Sequence, residues 1–326
     1  MKPFTYVRPA QVQAAIAAAG DEGARYLAGG TTLVDLMRLE VMRPTALVDV
    51  GRLPLAAIER HGDRVHIGAM ARNTDVANHP LVVERYPLLA EAILAGASQQ
   101  VRNMATVGGN LLQRTRCPYF RDPSVPCNKR TPGSGCSALG GYTRSHAIFG
   151  TSESCIATHP SDMCVALAAL DAVVHTRNGG RERAIPIGDF HTLPGDHPEI
   201  ENVLDHGELI THVELAASPF AAHSSYVKVR DRAAFAFALA SAAVGLDVAE
   251  GRIRAVRVAL GGVATRPWRS AEAEQALIGQ APARAAFERA AAAALVDPKP
   301  RRDNAFKVEL AQRTIVRALE LAWRKS

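Results

Sequence analysis

All five cysteines of this 326-residue chain fall between Cys117 and Cys164, and three share one polar stretch, "RTRCPYFRDPSVPCNKRTPGSGC", from Arg114 to Cys136. That stretch is interrupted by Pro118, Pro126 and Pro132 and crowded with Arg and Lys. It has neither helical nor strand periodicity, so it reads as a long loop set into a folded body. Cys117, Cys127, Cys136 and Cys155 are separated by nine, eight and eighteen residues. Zinc knuckles and bacterial ferredoxins use short C-x₂-C spacings instead. Spacing alone therefore leaves an iron–sulfur cluster, a zinc site and unconnected thiols open. Cys164, on the start of an apolar helix, reads as a small buried residue. His146 and His159 read as hydrogen-bonding or surface groups rather than ligands.

The body around this loop is long enough for two domains with cores of their own. Hydrophobic residues make up 48% of it and charged residues 21%, which excludes disorder and fibrous repeats. No apolar run reaches membrane-spanning length. The N-terminal residues lack the basic region, apolar core and cleavage site of a secretory leader. The expectation is therefore a periplasmic location only if a signal-bearing partner carries the folded chain across, and a cytoplasmic one otherwise. A net charge of +6 invites nucleic acid, but the Lys and Arg residues are scattered and lack an accompanying aromatic motif. The basic runs at Arg114 to Arg130 and in "DPKPRRDNAFK" fit solvated surface or docking sites for an acidic partner protein.

Helix-like and strand-like patterns alternate over the first fifty residues, as an α/β unit requires. A strand and a helix capped by Asn73 or Thr74 follow, then one longer helix over "PLLAEAILAGASQQVRNMATVGGNLL". After the cysteine loop the pattern gives a helix, a hairpin turning at Asn178 and Gly179, and a further strand. A linker is expected near residue 220. Beyond it lie a strand ("YVKVR"), a helix ("FAFALASAAVGLDV", in part a strand), a hairpin at Glu250 and Gly251, and alanine-rich helices.

Two turns carry paired glycines. "YLAGGTTLVDL" puts Gly29 and Gly30 between a strand and a helix, with Thr31 and Thr32 at the N-cap. Free N–H groups and the helix dipole there suit an anion. "MATVGGNLLQ" repeats the device with Thr106, Gly108, Gly109 and Asn110. Either turn alone is an ordinary tight turn, whereas two facing each other across a groove could hold both ends of a long diphosphate.

"AGGTTLVDLM", "ATVGGNLLQ", "CIATHPSDM", "YVKVRDRAAFA" and "LGGVATRPWR" occur in this order. In that order the chain resembles, over nearly its whole length, the FAD-binding subunit of molybdenum hydroxylases, the xanthine dehydrogenase family. The resemblance implies an α+β fold. Residues 1–218 would form a two-part FAD-binding domain of the PCMH and vanillyl-alcohol-oxidase-like type, and residues 222–326 a smaller α/β domain of the CO dehydrogenase flavoprotein type. It implies that Leu27, Ala28, Gly29, Gly30, Thr31, Thr32 and Leu33 wrap the FAD diphosphate, with Thr106, Gly109 and Asn110 as the second contact. Asp162 would bond the polar chain of the flavin, Leu193 would lie against the isoalloxazine, and Lys228 would approach its polar edge, where positive charge favours reduced flavin. Asp162 also suits a helix cap, and Lys228 an ordinary solvated strand position.

The cysteine loop, at about 114–155, is similar to an insertion in the flavin subunit of the periplasmic aldehyde oxidoreductase branch, which carries a [4Fe-4S] cluster. By that likeness Cys117, Cys127, Cys136 and Cys155 are the ligands, one per iron. Arg114, Arg116, Arg121, Lys129 and Arg130 would offset the cluster's charge, N–H groups from Gly133 to Cys136 would bond sulfur, and the metal would order a loop with little core of its own. The implied function is an electron-transfer subunit in a heterotrimer. It would take electrons from [2Fe-2S] centres of a small subunit, reduced by a molybdenum-cofactor large subunit that oxidises aldehydes, and pass them to an external acceptor. No catalytic residue of aldehyde chemistry is expected here. The alternatives are a flavin and iron–sulfur subunit of an aromatic acyl-CoA reductase, or a zinc-stabilised interaction protein without flavin.

Overall fold

The structure is a computed structural model that describes residues 1–325. Its strands form three sheets. Strands β1 (Thr5–Val7), β2 (Ala24–Leu27) and β3 (Ala46–Asp49) make a small parallel sheet in the order β1-β3-β2. Helix Val12–Ala18 packs on it through Ala15 and Ile16, against Val48 and Val50. Parallel neighbours need crossover helices, and the glycine turn after β2 leads straight into one, Leu33–Arg38.

The second sheet is antiparallel. Its strands β4 (Ile58–His61), β5 (Arg64–Gly68), β6 (Val173–Asn178), β7 (Arg181–Pro186) and β8 (Leu209–Leu215) run in the order β4-β5-β8-β6-β7. One face is buried by helices Pro87–Ala95 and Asp162–Ala169, and seven of the eight residues of the latter are buried. A third sheet follows, of β9 (Ser224–Val229), β10 (Ala240–Ala249), β11 (Arg252–Gly261) and β12 (Trp268–Arg269), in the order β12-β11-β10-β9. Helix Phe306–Arg324 covers its far side. Helix Asp162–Ala169 touches both larger sheets: its core also takes in Tyr226, Ala243 and Ala259.

Several sequence expectations change here. "FAFALASAAVGLDV" is not a helix: residues 240–249 are strand, paired to β9 and β11 and buried along most of their length. A strand covered on both faces has no period-2 signal, and alanine's helix preference misleads where tertiary pairing decides. The turn that closes this hairpin, Glu250 and Gly251, has both residues in the left-handed region (φ 53° and 71°), the two-residue form that fits strand twist. The long helix over residues 87–111 is three pieces, Pro87–Ala95, Gln99–Arg102 and Val107–Leu111. Ser98 and Thr106 cap the later two by accepting from Val101 N and Gly109 N. Neither Asn73 nor Thr74 caps helix Asn73–Asn78. Arg72 holds that position without a side-chain bond, while Asn73 N donates to Ala105 O (2.9 Å) and Thr74 Oγ1 to Asn103 Oδ1 (2.6 Å). The segment near 220 is anchored by buried Phe220, beneath the Arg257 guanidinium. Strands β1 and β4 and helix Pro80–Arg85 had no sequence signal.

Lys307, on the last helix, is fully buried and donates to Gly262 O (2.7 Å). Burial pushes its pKa from 10.5 down to about 7. Between those values the unfolded chain binds more protons than the folded one, so this lysine penalises the fold most below about pH 7 and less as pH rises towards 10.5. Lys307→Met should raise the urea midpoint most at pH 6–7, with the gain shrinking towards pH 10. A pH-independent gap between variant and parent would contradict this.

Candidate functional site

A cleft of about 1360 Å³, open solvent included, lies between the glycine turns, the start of helix Asp162–Ala169 and strand β9. The helix after β2 contributes Thr31, Thr32 and Asp35; the second glycine turn contributes Gly109 and Asn110. Asp162 and Met163 begin the buried helix, Lys228 comes from β9, and Phe235 and Phe237 from the loop that joins β9 to β10. Arg102, Arg116, Arg121 and Lys228 outnumber the carboxylates Asp35 and Asp162 on its walls. Such a lining favours an anionic guest.

The two glycine turns touch. A Cβ on Gly29 would sit 1.8 Å from Met104 O, and Gly30 occupies the left-handed region (φ 72°), so only glycine lets these turns pack. Gly109 N donates to Thr106 Oγ1 (3.2 Å), which places buried Thr106 beneath the turn rather than on the cleft wall. Thr31, Thr32, Gly109, Asn110, Asp162 and Lys228 thus share the cleft, while Leu27, Ala28 and Leu33 flank it. Leu193 is not brought there; it lies half-exposed beside Gly150.

Asp162 is not the helix cap, because Ser161 accepts from Cys164 N (3.0 Å). Its carboxylate instead accepts from Tyr226 Oη (2.6 Å) and Lys228 Nζ (2.8 Å), and Lys228 also donates to Ala95 O (3.2 Å). Burial and this carboxylate hold the Tyr226 hydroxyl well above its usual pKa. The Lys228 ammonium, 3% exposed, is therefore already paired with Asp162. The sequence reading missed Tyr226, Asp35 and the two phenylalanines at the mouth. The aromatic alternation in "AAFAFA" was a signal, obscured by assigning that stretch to a helix. There the Arg116 guanidinium stacks over the Phe237 ring (5.1 Å).

Beside the cleft, the thiols of Cys117, Cys127, Cys136 and Cys155 line one small cavity. All are free, and no three of their sulfurs lie within 4.8 Å of one another. Burial pushes Cys117 up to about 12 and raises Cys155. His146 Nε2 lies 3.2 Å from Cys117 Sγ, and burial brings this imidazole down to about 4.

The loop does have a core of its own, built on Phe120, Leu36, Ala138 and Ile156. Its basic residues point elsewhere than expected. Arg114 pairs with Glu201, Arg116 and Arg121 with Asp35 (3.2 and 2.8 Å), and Arg130 with carbonyls of Tyr119 and Phe120. Carboxylates and backbone oxygens are closer and harder partners than thiols, and only Lys129 lines the cavity. The N–H groups of Ser134 and Gly135 serve Thr131 O and Asn128 Oδ1; the amides that reach sulfur are Ala157 N, 3.5 Å from Cys155 Sγ, and those of Tyr119 and Phe120, which face the Cys117 thiol. Cys164 is fully buried, its thiol pushed up to about 12. Its sulfur lies within 4.8 Å of donor nitrogens of His159 and His191, whose Nε2 atoms are 3.2 Å apart.

Residues 2–217 match the FAD-binding domain in molybdopterin dehydrogenase, and residues 225–322 the CO dehydrogenase flavoprotein C-terminal domain. The chain belongs to this family of FAD-binding oxidoreductase subunits. It is 50% identical over 98% of both chains to the aldehyde oxidoreductase FAD-binding subunit PaoB of Escherichia coli. The glyceraldehyde dehydrogenase medium chain of Sulfolobus acidocaldarius is 27% identical over 85% of this chain and 82% of its own. A solved carbon monoxide dehydrogenase from Hydrogenophaga pseudoflava superposes with a TM-score of 0.78 at 28% identity, covering 99% of this chain and 98% of that one.

Because overpacking costs about 1–3 kcal/mol, Gly29→Ala should separate the two turns and lower flavin retention by about tenfold or more, read as heat-released flavin per chain. Full retention would place the flavin elsewhere. Lys228→Met strands a buried carboxylate, a change worth about 3–5 kcal/mol. Adding Asp162→Asn should recover much of the loss in urea unfolding, and strictly additive losses would argue against a coupled pair.

Proposed function

We propose that this chain is the FAD and [4Fe-4S] electron-transfer subunit of a three-subunit, molybdenum-containing aldehyde oxidoreductase. What carries this reading is the juxtaposition of the anion-favouring cleft with four unpaired thiols around one small cavity. Identity to an aldehyde oxidoreductase subunit supports aldehyde oxidation over acyl-CoA reduction. The partners are a molybdenum-cofactor large subunit and a [2Fe-2S] small subunit, with an external acceptor taking the electrons. The N-terminal domain, in this reading, is of the PCMH and vanillyl-alcohol-oxidase-like type.

The residues fit both groups. Thr31, Thr32, Gly109 and Asn110 would hold the FAD, with turn amides and nearby guanidiniums facing its diphosphate. Bound FAD supplies two-electron chemistry. Lys228, fixed and charge-paired by Asp162, stands on the cleft wall, and Phe235 and Phe237 narrow its mouth against water. Leu193 would meet the flavin only if its loop lay differently. Four cysteines around one cavity supply the one thiolate per iron that a cubane needs. His146 stands where an N–H can reach the Cys117 sulfur.

Anaerobically isolated protein should contain FAD and about four iron and four acid-labile sulfide per chain, as a cubane requires. Cys127→Ser should lose the iron and its broad absorbance, and weaken assembly with the two partner subunits. Stoichiometric zinc without iron, or iron retained in full by the variant, would refute the cluster assignment. Turnover of acyl-CoA esters in place of aldehydes by the assembled complex would redirect the function.

A further inference from the structure

The outer face of the five-stranded sheet carries a row of imidazoles that flavin and cluster leave unused. His61 on β4, His66 on β5, His212 on β8 and His175 on β6 stand on four consecutive strands. Their rings stack in series, with centroids 4.1 Å apart for His61 and His66, 4.5 Å for His66 and His212, and 4.2 Å for His212 and His175. In the strand register His66 faces Glu214, and His175 faces His212. Directly opposed residues have Cβ atoms about 4.5–5.5 Å apart, so three imidazoles and a carboxylate occupy one compact patch.

The bonding within this patch is incomplete. Glu214 Oε2 lies 3.1 Å from His66 Nε2 and 3.7 Å from His175 Nε2. The Nε2 atoms of His175 and His212 have no hydrogen-bond partner although water does not reach them. Two buried ring nitrogens left without partners carry a desolvation penalty. Arg64 grips Glu214 through Oε1, which leaves Oε2 directed at the imidazoles. Burial and the neighbouring rings bring His212 down to about 4, and burial lowers His175. The side chains of His66 and His175 are about one quarter exposed, and the patch opens to solvent.

We propose that His66, His175, His212 and Glu214 form a binding site for a divalent transition-metal ion on the outer face of this sheet. Imidazoles with one carboxylate suit zinc, cobalt, nickel or copper rather than magnesium or calcium. No three donor atoms of these side chains lie within 4.8 Å of one another, and the His175 and His212 rings are stacked nearly parallel, so binding requires the imidazoles to leave the stack by turning about their side-chain bonds, after which the ion takes up the lone pairs that have no partner. Arg64 then acts as the outer partner that orients the carboxylate.

The test uses chelator-treated protein with its flavin and iron retained, titrated with Co²⁺ and read by visible d–d absorption, with Zn²⁺ competition by calorimetry. One equivalent should bind. His212→Asn and, separately, Glu214→Gln should each weaken binding by about tenfold or more, since even outer partners of metal ligands cost about 10–100-fold. Both variants should keep wild-type flavin content, which also reports that they fold. A metal-induced rise in thermal midpoint should appear in the parent and be lost in the variants. Unchanged affinity in both variants would overturn the proposal. So would binding abolished by His159→Asn instead, which would place the ion at the buried His159, Cys164 and His191 group.

Discussion

A charge taken out of water tolerates few arrangements, and Asp162 meets that constraint by holding two domains together. It begins the helix that both larger sheets share, and its partners Tyr226 and Lys228 stand on the first strand of the third sheet. Such a pair adds little net stability over an apolar contact, but it accepts only one register between helix and strand. That register sets the depth of the cleft, because Gly96, Asp162 and Lys228 all contribute to its wall.

The cysteine loop is part of the same construction. Arg116 and Arg121 leave the loop to meet Asp35, on the helix that follows the first glycine turn. Arg116 also caps the Phe237 ring at the cleft mouth. The loop that gathers the thiols therefore also forms part of the cleft wall.

Much of this was legible in the sequence where local chemistry decides structure. Paired glycines flanked by threonines gave the two turns, Glu250 and Gly251 gave the hairpin, and the four cysteines gave one cavity. What escaped detection depended on long-range packing. Strand β10 is apolar on both faces and so has no alternation to read. The expected role of Lys228 assumed a free ammonium, yet Asp162, sixty-six positions away, already neutralises it. The arginines of the loop were assigned to sulfur because their carboxylate partners, Asp35 and Glu201, lie far away in the chain. The row of histidines was invisible for the same reason: its members are spread from position 61 to 212 and meet only through strand order.

The outermost strands of the five-stranded sheet have a further consequence. β4 reads Ile-Glu-Arg-His and β7 reads Arg-Glu-Arg-Ala-Ile-Pro. Charged side chains at both margins, and a proline that cannot donate, discourage another chain from extending the sheet by backbone pairing.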